Sequence, residues 1–264
     1  MDRLLQATAL AERDHFWFRG FRRFMGPLLA EAVRGRQAPV ILDCGCGTGH
    51  NLELLRKFGD AVGIDLTWTG LAFARSRGER AIARATAANL PFSAAIFDVV
   101  TSFDVIYALD DATEAAALRE MFRVLRPGGY LVINVAAMDL LKGNHSVLAN
   151  EIRRYSRATL ADRLVATGFQ IRRLSYTNAT ILPIVAAVRL AQRASGHEES
   201  NQEISIPPAP INAALSGALA VESNLLRFIN MLLAAVASSA RLAIARAHGA
   251  HPSNRDNLRI ITRT

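Results

Sequence analysis

The chain has 264 residues, of which 51% are hydrophobic and 20% are charged, and this balance excludes an intrinsically disordered protein. The length suits one large α/β domain, or a domain with an appended cap. The net charge of +8 does not by itself indicate a nucleic-acid partner, because the arginines are spread along the whole chain instead of clustering in one segment.

The cysteines and the apolar segments exclude further classes. Cys44 and Cys46 lie in one glycine-rich loop and form neither a disulfide framework nor a metal-type pair, so we expect no metal site. Asp2, Glu12 and Asp14 interrupt the N-terminal segment, which is unlike a signal peptide and favours a cytoplasmic protein. Apolar stretches in the last third are broken by proline or fall short of the ~20 residues of a membrane span. Peripheral membrane contact and a homodimer stay open.

The middle of the chain carries the pattern of a parallel sheet. Short apolar runs alternate with helical periodicity between Pro39 and Tyr176, which is typical of strands joined by crossover helices. The predicted strands are Val40–Leu42, Ala61–Ile64, Ala81–Ala85, Phe97–Thr101, Tyr130–Val135 and Phe169–Leu174. The predicted helices include one that Gly59 ends, Leu71–Arg77, one through Leu118 and Leu125 that Pro127-Gly128-Gly129 stops, and Ala158–Thr167.

The two ends of the chain differ from this middle part. We divide the chain into an N-terminal helical segment (1–38), a core domain (39–176) and a C-terminal helical region (177–264). The first of these carries an aromatic cluster at Phe16, Trp17 and Phe18, which either packs in the core or forms a lid. In the last, Arg241–Ala247 is either a closing strand or the continuation of a helix.

The segment after the first strand predicts a ligand site. Asp43 ends that strand, and glycine then occupies every second position at Gly45, Gly47 and Gly49. In parallel sheets, ligands lie at the carboxyl ends of the strands near the topological switch point. Glycine there lets the backbone approach a ligand without an intervening Cβ. We therefore expect this loop to form the floor of a binding site.

The spacing in this loop distinguishes between two ligands. A dinucleotide fingerprint needs a third small residue where this chain has His50, so the pyrophosphate interpretation weakens. The pattern D-x-G-x-G-x-G instead suits a ligand with an amino-acid tail, with Asp43 facing its ammonium group and loop N–H groups facing its carboxylate. Asp65 ends the second strand, 20 positions after Gly45, where an acid commonly binds ribose hydroxyls. Its alternative role is a helix N-cap.

Several segments occur together in a recognisable order. VILDCGCGTGH, VGIDLT, NLPF, FDVVTSFDV and LREMFRVLRPGGYLVINV resemble those of class I S-adenosylmethionine-dependent methyltransferases, in the group similar to the ubiquinone and menaquinone C-methyltransferases. The resemblance covers residues 39–176. It implies an α/β fold: a Rossmann-like, doubly wound, seven-stranded and mostly parallel sheet with a reversed last strand. A helical N-terminal segment and a C-terminal helical cap would flank it.

The resemblance also implies S-adenosylmethionine as the cofactor, held at the carboxyl ends of the first four strands. Its implied contacts are Asp43, Gly45, Cys46 and Gly47 for the methionine part, Asp65 for the ribose, Leu66, Thr86 and Ala87 around the adenine, and Ser102 and Phe103 at the reacting end. Thr86 stands where relatives often carry an acid near the adenine amino group. A hydroxyl there still accepts one hydrogen bond.

The acceptor side departs from the family pattern. Tyr107-Ala108 stands where relatives often carry Glu-His, and Glu151 stands where they often carry a histidine. His145 is therefore the candidate general base, with a surface or capping role as its alternative. Glu151 and Tyr155 are weaker candidates. Trp17 and Phe18 are candidate lid residues, since aromatic faces attract a sulfonium.

The expected function is methyl transfer to a small-molecule acceptor: a metabolite, sugar, quinone or lipid. An RNA methyltransferase is the first alternative because of the basic charge. Against it, Ser102-Phe103-Asp104 replaces the Asn/Asp-Pro-Pro-aromatic segment of base-amino methyltransferases, so a nucleic-acid partner is not expected. A non-catalytic or nicotinamide-binding relative is the second alternative.

Overall fold

The computed structural model describes residues 2–137, 150–185, 187, 204–226 and 240–247. Its strands are β1 (Val40–Cys44), β2 (Asp60–Asp65), β3 (Ile82–Arg84), β4 (Phe97–Phe103), β5 (Leu125–Val135), β6 (Phe169–Thr177) and β7 (Ala240–Ala247). Its helices include α1 (Asp2–Ala11), α2 (Phe16–Ala32), α3 (His50–Leu55), α4 (Trp68–Ser76), α5 (Asp111–Val124), α6 (Arg157–Ala166) and α7 (Ala209–Leu225). A 3₁₀ turn spans Ile106–Ala108.

The described strands form one sheet in the order β3-β2-β1-β4-β5-β7-β6. Pairing is parallel from β3 to β5, and β7 is antiparallel to both β5 and β6. The predicted α/β, Rossmann-like fold is confirmed, and the segment at residues 240–247 is a strand. From β1 the chain continues outward to β2 and β3 on one side, and then returns to place β4 on the other side of β1. The crevice at the carboxyl ends of β1 and β4 is therefore the switch point where ligands bind in such sheets.

Alternating side chains bury both faces of the sheet, because successive strand residues point in opposite directions. On one face the strand residues Leu42, Val100 and Leu131 pack in a cluster with Leu118 and Met121 of α5. On the other, Ile41, Val99 and Val132 pack with Phe24, Met25, Leu28 and Leu29 of α2. The helix α2 is thus part of the core of the sheet domain, although the sequence placed it in a separate N-terminal segment.

Several predicted boundaries move; β4 continues to Phe103, β6 continues to Thr177, and α4 already begins at Trp68. Asp43 lies within β1 and does not follow it, and α3 already ends at Leu55. The prediction that Pro127-Gly128-Gly129 separates a helix from a strand is wrong, because β5 begins at Leu125. Leu125 pairs with Phe97, and regular pairing resumes at Tyr130 opposite Val99. The Pro-Gly-Gly segment therefore lies in the register shift, where a missing N–H is tolerated.

Of the C-terminal region, β7 joins the sheet and the helix α7 packs against α2. Gly20 of α2 lies so close to α7 that a Cβ on it would be 2.3 Å from Cδ1 of Leu219. The Arg23 guanidinium of α2 donates a hydrogen bond to the Ser216 carbonyl of α7 (2.7 Å). The roles of residues 1–38 and 177–264 as lid and cap stay predictions. In the described part of the chain, no helix has the length and apolar character that a membrane crossing needs.

Candidate active site

The glycine loop after β1 adopts a backbone that only glycine accommodates well. Gly45, Gly47 and Gly49 have φ angles of +88°, +48° and +78°, in the left-handed region that disfavours other residues. A Cβ on Gly45 would lie 2.2 Å from Cγ2 of Val105. The loop is therefore held tightly against the segment that follows β4.

The N–H groups of this loop are largely engaged within the protein. Those of Gly45 and Cys46 both donate to the Ile64 carbonyl (2.8 Å), and that of Gly47 donates to Oδ2 of Asp65 (2.8 Å). The sequence-based expectation was that loop N–H groups face a ligand carboxylate, whereas the structure uses these three to fix the loop. The ligand-binding chemistry of the loop therefore rests on Asp43 and on the absence of side chains at the half-buried Gly45 and Gly47.

Asp43 is a buried carboxylate at the base of the loop. It is 1% exposed and accepts a hydrogen bond from the Thr101 hydroxyl (2.7 Å), which ties β1 to β4. Burial raises its pKa to about 7. A buried carboxylate without a cation is costly, so an ammonium group beside Asp43 would stabilise it.

Asp65 organises the start of α4 as well as the loop. Its Oδ1 accepts hydrogen bonds from the Thr67 N–H (2.7 Å) and the Thr67 hydroxyl (2.6 Å), and Thr67 is the N-cap of α4. The alternative that Asp65 is the helix N-cap is therefore wrong, since Asp65 supports the N-cap Thr67 instead, and ligand binding by Asp65 stays a prediction. Leu66 beside it is 59% exposed, and its side chain is open to contact.

The remaining predicted cofactor residues differ in accessibility. The Thr86 hydroxyl accepts a hydrogen bond from the Ala88 N–H (3.3 Å), and Ala87 packs against the core. The side chain of Cys46 is buried against Gly63, and its main-chain N–H and carbonyl are both hydrogen-bonded within the protein. Burial raises the pKa of the Cys44 and Cys46 thiols. Since the thiolate is the nucleophilic form, this environment does not favour a nucleophilic role for either cysteine.

Ser102 carries an unsatisfied group at the carboxyl end of β4. The residue is fully buried, and its hydroxyl has no hydrogen-bond partner among the residues that the structure describes. Together with the glycine loop and Asp43, this unpaired hydroxyl fits a polar ligand bound across β1 and β4. These residues thus suit S-adenosylmethionine, which carries an ammonium group and polar ribose hydroxyls.

Asp104 is a functional candidate that the sequence interpretation missed. It follows β4 with φ +59°, its N–H donates to the Asn134 carbonyl (3.0 Å), and its Oδ1 accepts from Nδ2 of Asn134 (2.8 Å). Asp104 is exposed to solvent as a residue, and desolvation of its carboxyl, together with the nearby Glu151, raises its pKa to about 7. The sequence feature that could have identified Asp104 is an acidic residue directly after β4.

Two of the predicted base candidates, Glu151 and Tyr155, are already engaged by other residues of the protein. Glu151 pairs with Arg154, whose Nη2 lies 3.1 Å from Oε2. Tyr155 is 2% exposed and its hydroxyl donates to the Ile106 carbonyl (3.3 Å), which is a structural role. His145 lies outside the described residues.

A buried ion pair fastens α1 across the glycine loop. Glu12, just after α1, accepts hydrogen bonds from the Thr48 hydroxyl (2.7 Å) and from Nη2 of Arg77 (2.6 Å). Leu5 of α1 would lie 3.6 Å from a Cβ on Gly47. Trp17, by contrast, packs against the apolar core. The structure thus brings α1 to the loop, Phe16 and Trp17 contribute to packing, and Phe18 lies against the His15 ring.

Comparison with known families points to one enzyme class. Residues 42–133 match the family described as a methyltransferase domain. A probable S-adenosylmethionine-dependent methyltransferase of Mycolicibacterium smegmatis is 32% identical over 166 residues, which are 61% of this chain and 62% of the relative. A probable tRNA methyltransferase 9B of Bos taurus is 34% identical over 130 residues, which are 49% of this chain and 28% of that protein. The chain thus spans less than two thirds of each of these two relatives.

A solved structure shares the fold at low sequence identity. The geranyl diphosphate methyltransferase in complex with GPP and sinefungin superposes with a TM-score of 0.56 at 15% identity, covering 84% of this chain and 77% of that one. Sinefungin is an analogue of S-adenosylmethionine. This likeness concerns the arrangement of strands and helices.

Proposed function

Since the chain belongs to the class I S-adenosylmethionine-dependent methyltransferases, we propose that it transfers the cofactor's methyl group to a small-molecule acceptor. The acceptor is a metabolite, a sugar, a quinone or a lipid. The observation that carries this proposal is the glycine cradle from Gly45 to Gly49 with the buried Asp43 carboxylate at its base.

Each of these features of the site has a role toward the cofactor, which would supply an activated methyl group. Asp43 would hold the ammonium group, and Asp65 the ribose hydroxyls while it fixes the loop through Gly47. Leu66, Thr86 and Ala87 would border the adenine. The Ser102 hydroxyl would complete its hydrogen bonding at the reacting end. Holding two reactants in place supplies much of the rate gain in such a displacement.

The helix α1 would act as the lid of the cofactor site. Glu12 holds it to the loop residue Thr48 and to Arg77 of the turn after α4. Because Leu5 then lies beside Gly47, the apolar side of α1 would exclude water from the bound cofactor. Opening this lid requires breaking the Glu12–Arg77 pair.

RNA methylation is the second candidate, favoured by the similarity to tRNA methyltransferase 9B of Bos taurus and by the charge of +8. Several arginines are, however, already paired with acids: Arg36 with Asp98 (2.7 Å), Arg77 with Glu12 (2.6 Å) and Arg163 with Glu114 (2.6 Å). Paired arginines attract phosphate less, so the small-molecule acceptor is preferred.

The test is to incubate the purified protein and methyl-labelled S-adenosylmethionine with cell extract, and to separate lipid, RNA and soluble small molecules. We expect the label in the soluble or lipid fraction. Label in RNA would support the second candidate and contradict the first. The absence of label from every fraction, with a protein that binds the cofactor, would contradict both.

A further inference from the structure

We propose that Asp104 and Asn134 form the floor of the acceptor pocket and that they select an acceptor carrying an ammonium group. This inference rests on the proposed methyl transfer and deepens it by naming a substrate class. It is drawn from the position of the two residues, from the way they hold each other and from the charges around them.

Asp104 lies beside the glycine loop, at the end of β4. Val105 contacts the glycine loop at Gly45, where a Cβ would lie 2.2 Å from its Cγ2. Asp104 is the residue before it and the first after β4. The Asp43–Thr101 hydrogen bond (2.7 Å) joins β1 to β4 three residues earlier. Asp104 therefore borders the cofactor loop on its β4 side, next to the reacting end marked by Ser102.

The Asp104 carboxylate is held in one orientation. Its left-handed backbone conformation (φ +59°) is unfavourable for most residues other than glycine, asparagine and aspartate. Two bonds to one residue fix it: the Asp104 N–H to the Asn134 carbonyl (3.0 Å) and Nδ2 of Asn134 to Oδ1 (2.8 Å). Local strain with such fixation is typical of functional positions.

An unsatisfied acceptor lies beside this carboxylate. Asn134 is 2% exposed, and its Oδ1 has no hydrogen-bond partner within the described residues. The same amide group donates to Asp104, so its free oxygen lies next to the carboxylate. A buried acceptor without a donor is costly unless a ligand supplies one. The pair thus presents two acceptors, Oδ1 of Asn134 and the Asp104 carboxylate, which an ammonium group with three donors complements.

The carboxyl groups of Glu151 and Asp104 differ in whether a cation compensates them. The neighbouring Glu151 is neutralised by Arg154, which also donates to the Ala137 carbonyl (3.1 Å). In contrast, no salt bridge in the described ranges reaches Asp104, whose side-chain partner is the neutral Asn134 amide. The floor therefore holds a carboxyl group that is negatively charged above its pKa of about 7 and has no cation beside it in the described ranges. Such a charge attracts an ammonium group and disfavours a phosphate or carboxylate in the same place.

The experiment uses the full chain, methyl-labelled S-adenosylmethionine and cell extract, and first determines the charge of the labelled product made by the wild-type protein. We expect the product to bind a cation exchanger at acidic pH. The fraction that supplies the acceptor is then given to Asp104→Asn, which keeps the shape, and to Asp162→Asn, an exposed site on α6. Asp104→Asn should raise KM for the acceptor about tenfold or more, whereas Asp162→Asn should not.

The outcomes separate the inference from the proposed function. Calorimetry should show the same affinity for S-adenosylmethionine in wild type and Asp104→Asn. A labelled product that binds only an anion exchanger, or an unchanged KM in Asp104→Asn, overturns the inference and leaves methyl transfer intact. No labelled product from a wild-type protein that binds the cofactor overturns both. The charge of the product is measured on wild type, so it decides even where a variant fails to fold.

Discussion

The two halves of the carboxyl edge of the sheet are built differently. At β1 and β2 the loop satisfies its polar groups internally, through the Ile64 carbonyl and Asp65. At β4 and β5, Ser102 and Asn134 each keep a buried oxygen without a partner among the described residues. The β1–β2 half is therefore preorganised, whereas the polar groups of the β4–β5 half would find their hydrogen-bond partners in a bound ligand. This contrast explains why the cofactor half follows a family motif while the acceptor half departs from it.

The strongest way to break the cofactor half is Gly47→Arg. The left-handed φ of +48° and the nearby Leu5 leave a large side chain strained and pressed against the lid. We expect calorimetry to detect no binding of S-adenosylmethionine, while thermal unfolding stays cooperative. Gly217→Arg is the matched control, because a Cβ there meets nothing within 4 Å. Undiminished binding by Gly47→Arg would place the cofactor elsewhere.

Asp65→Ala removes the anchor that joins the loop to α4. Three hydrogen bonds to Gly47 and Thr67 are lost, in addition to the proposed contact with the ribose. One hydrogen bond to a charged group contributes about 1.5–3 kcal/mol, so loss of the ribose contact should lower the affinity roughly 10- to 100-fold. Asp60→Ala, at the exposed start of the same strand, is the control. Equal affinity in both variants would mean that Asp65 has no part in binding.

Asp43 should make cofactor binding depend on pH. Its pKa is raised from 3.8 to about 7 by burial, so the apo protein binds a proton that the unfolded chain has released. Ionising Asp43 therefore lowers the free energy of unfolding as pH rises from 3.8 to about 7. An ammonium ligand prefers the ionised form, so affinity should increase over this range by at most about tenfold per pH unit.

Melting curves and calorimetry at several pH values measure both trends. Asp43→Asn should abolish the rise in affinity with pH and bind weakly throughout. A pH dependence that survives in this variant would assign the effect to another group.

Glu12→Gln tests the lid, with a smaller effect. The substitution removes the charge that pairs with Arg77 but keeps an acceptor for Thr48. We expect stopped-flow release of the cofactor to become a few times faster, since α1 opens more often. Glu31→Gln in α2 should leave the release rate unchanged. A slower release would contradict the lid assignment.

Ser102→Ala should have the smallest effect on stability. Its hydroxyl has no partner in the part of the chain that the structure describes, so its removal should change the free energy of unfolding by no more than about 0.5 kcal/mol, or even stabilise the protein. Thr101→Ala, which loses the bond to Asp43, should destabilise more. Denaturant unfolding compares the two. The reverse order would show that Ser102 is already satisfied.

Sequence periodicity predicted the sheet because its signal is local. Val99 and Val100 occupy opposite faces, as do Ile41 and Leu42, and such doubly apolar runs indicate strands buried on both sides. The glycine loop and Asp65 were found for a similar reason, since their spacing is contained within one strand–loop–helix unit. The boundary at Pro127 was wrong because an irregular strand tolerates residues that normally end an element.

The contacts that complete the site join distant positions and leave no periodic signal. Asp104 and Asn134 are 30 residues apart, Glu12 and Thr48 are 36 apart, and Glu12 and Arg77 are 65 apart. Each residue taken alone is an ordinary polar residue of a loop or a strand end. Their proximity follows from the order of the strands, which periodicity does not specify.

The central claim is that the loop from Asp43 to Gly49 holds the amino-acid end of a sulfonium nucleoside. Titration calorimetry of the wild-type chain with S-adenosylmethionine and, separately, with NADH tests it most directly. The account predicts micromolar binding of S-adenosylmethionine and none of NADH. Tight binding of NADH without binding of S-adenosylmethionine would contradict it.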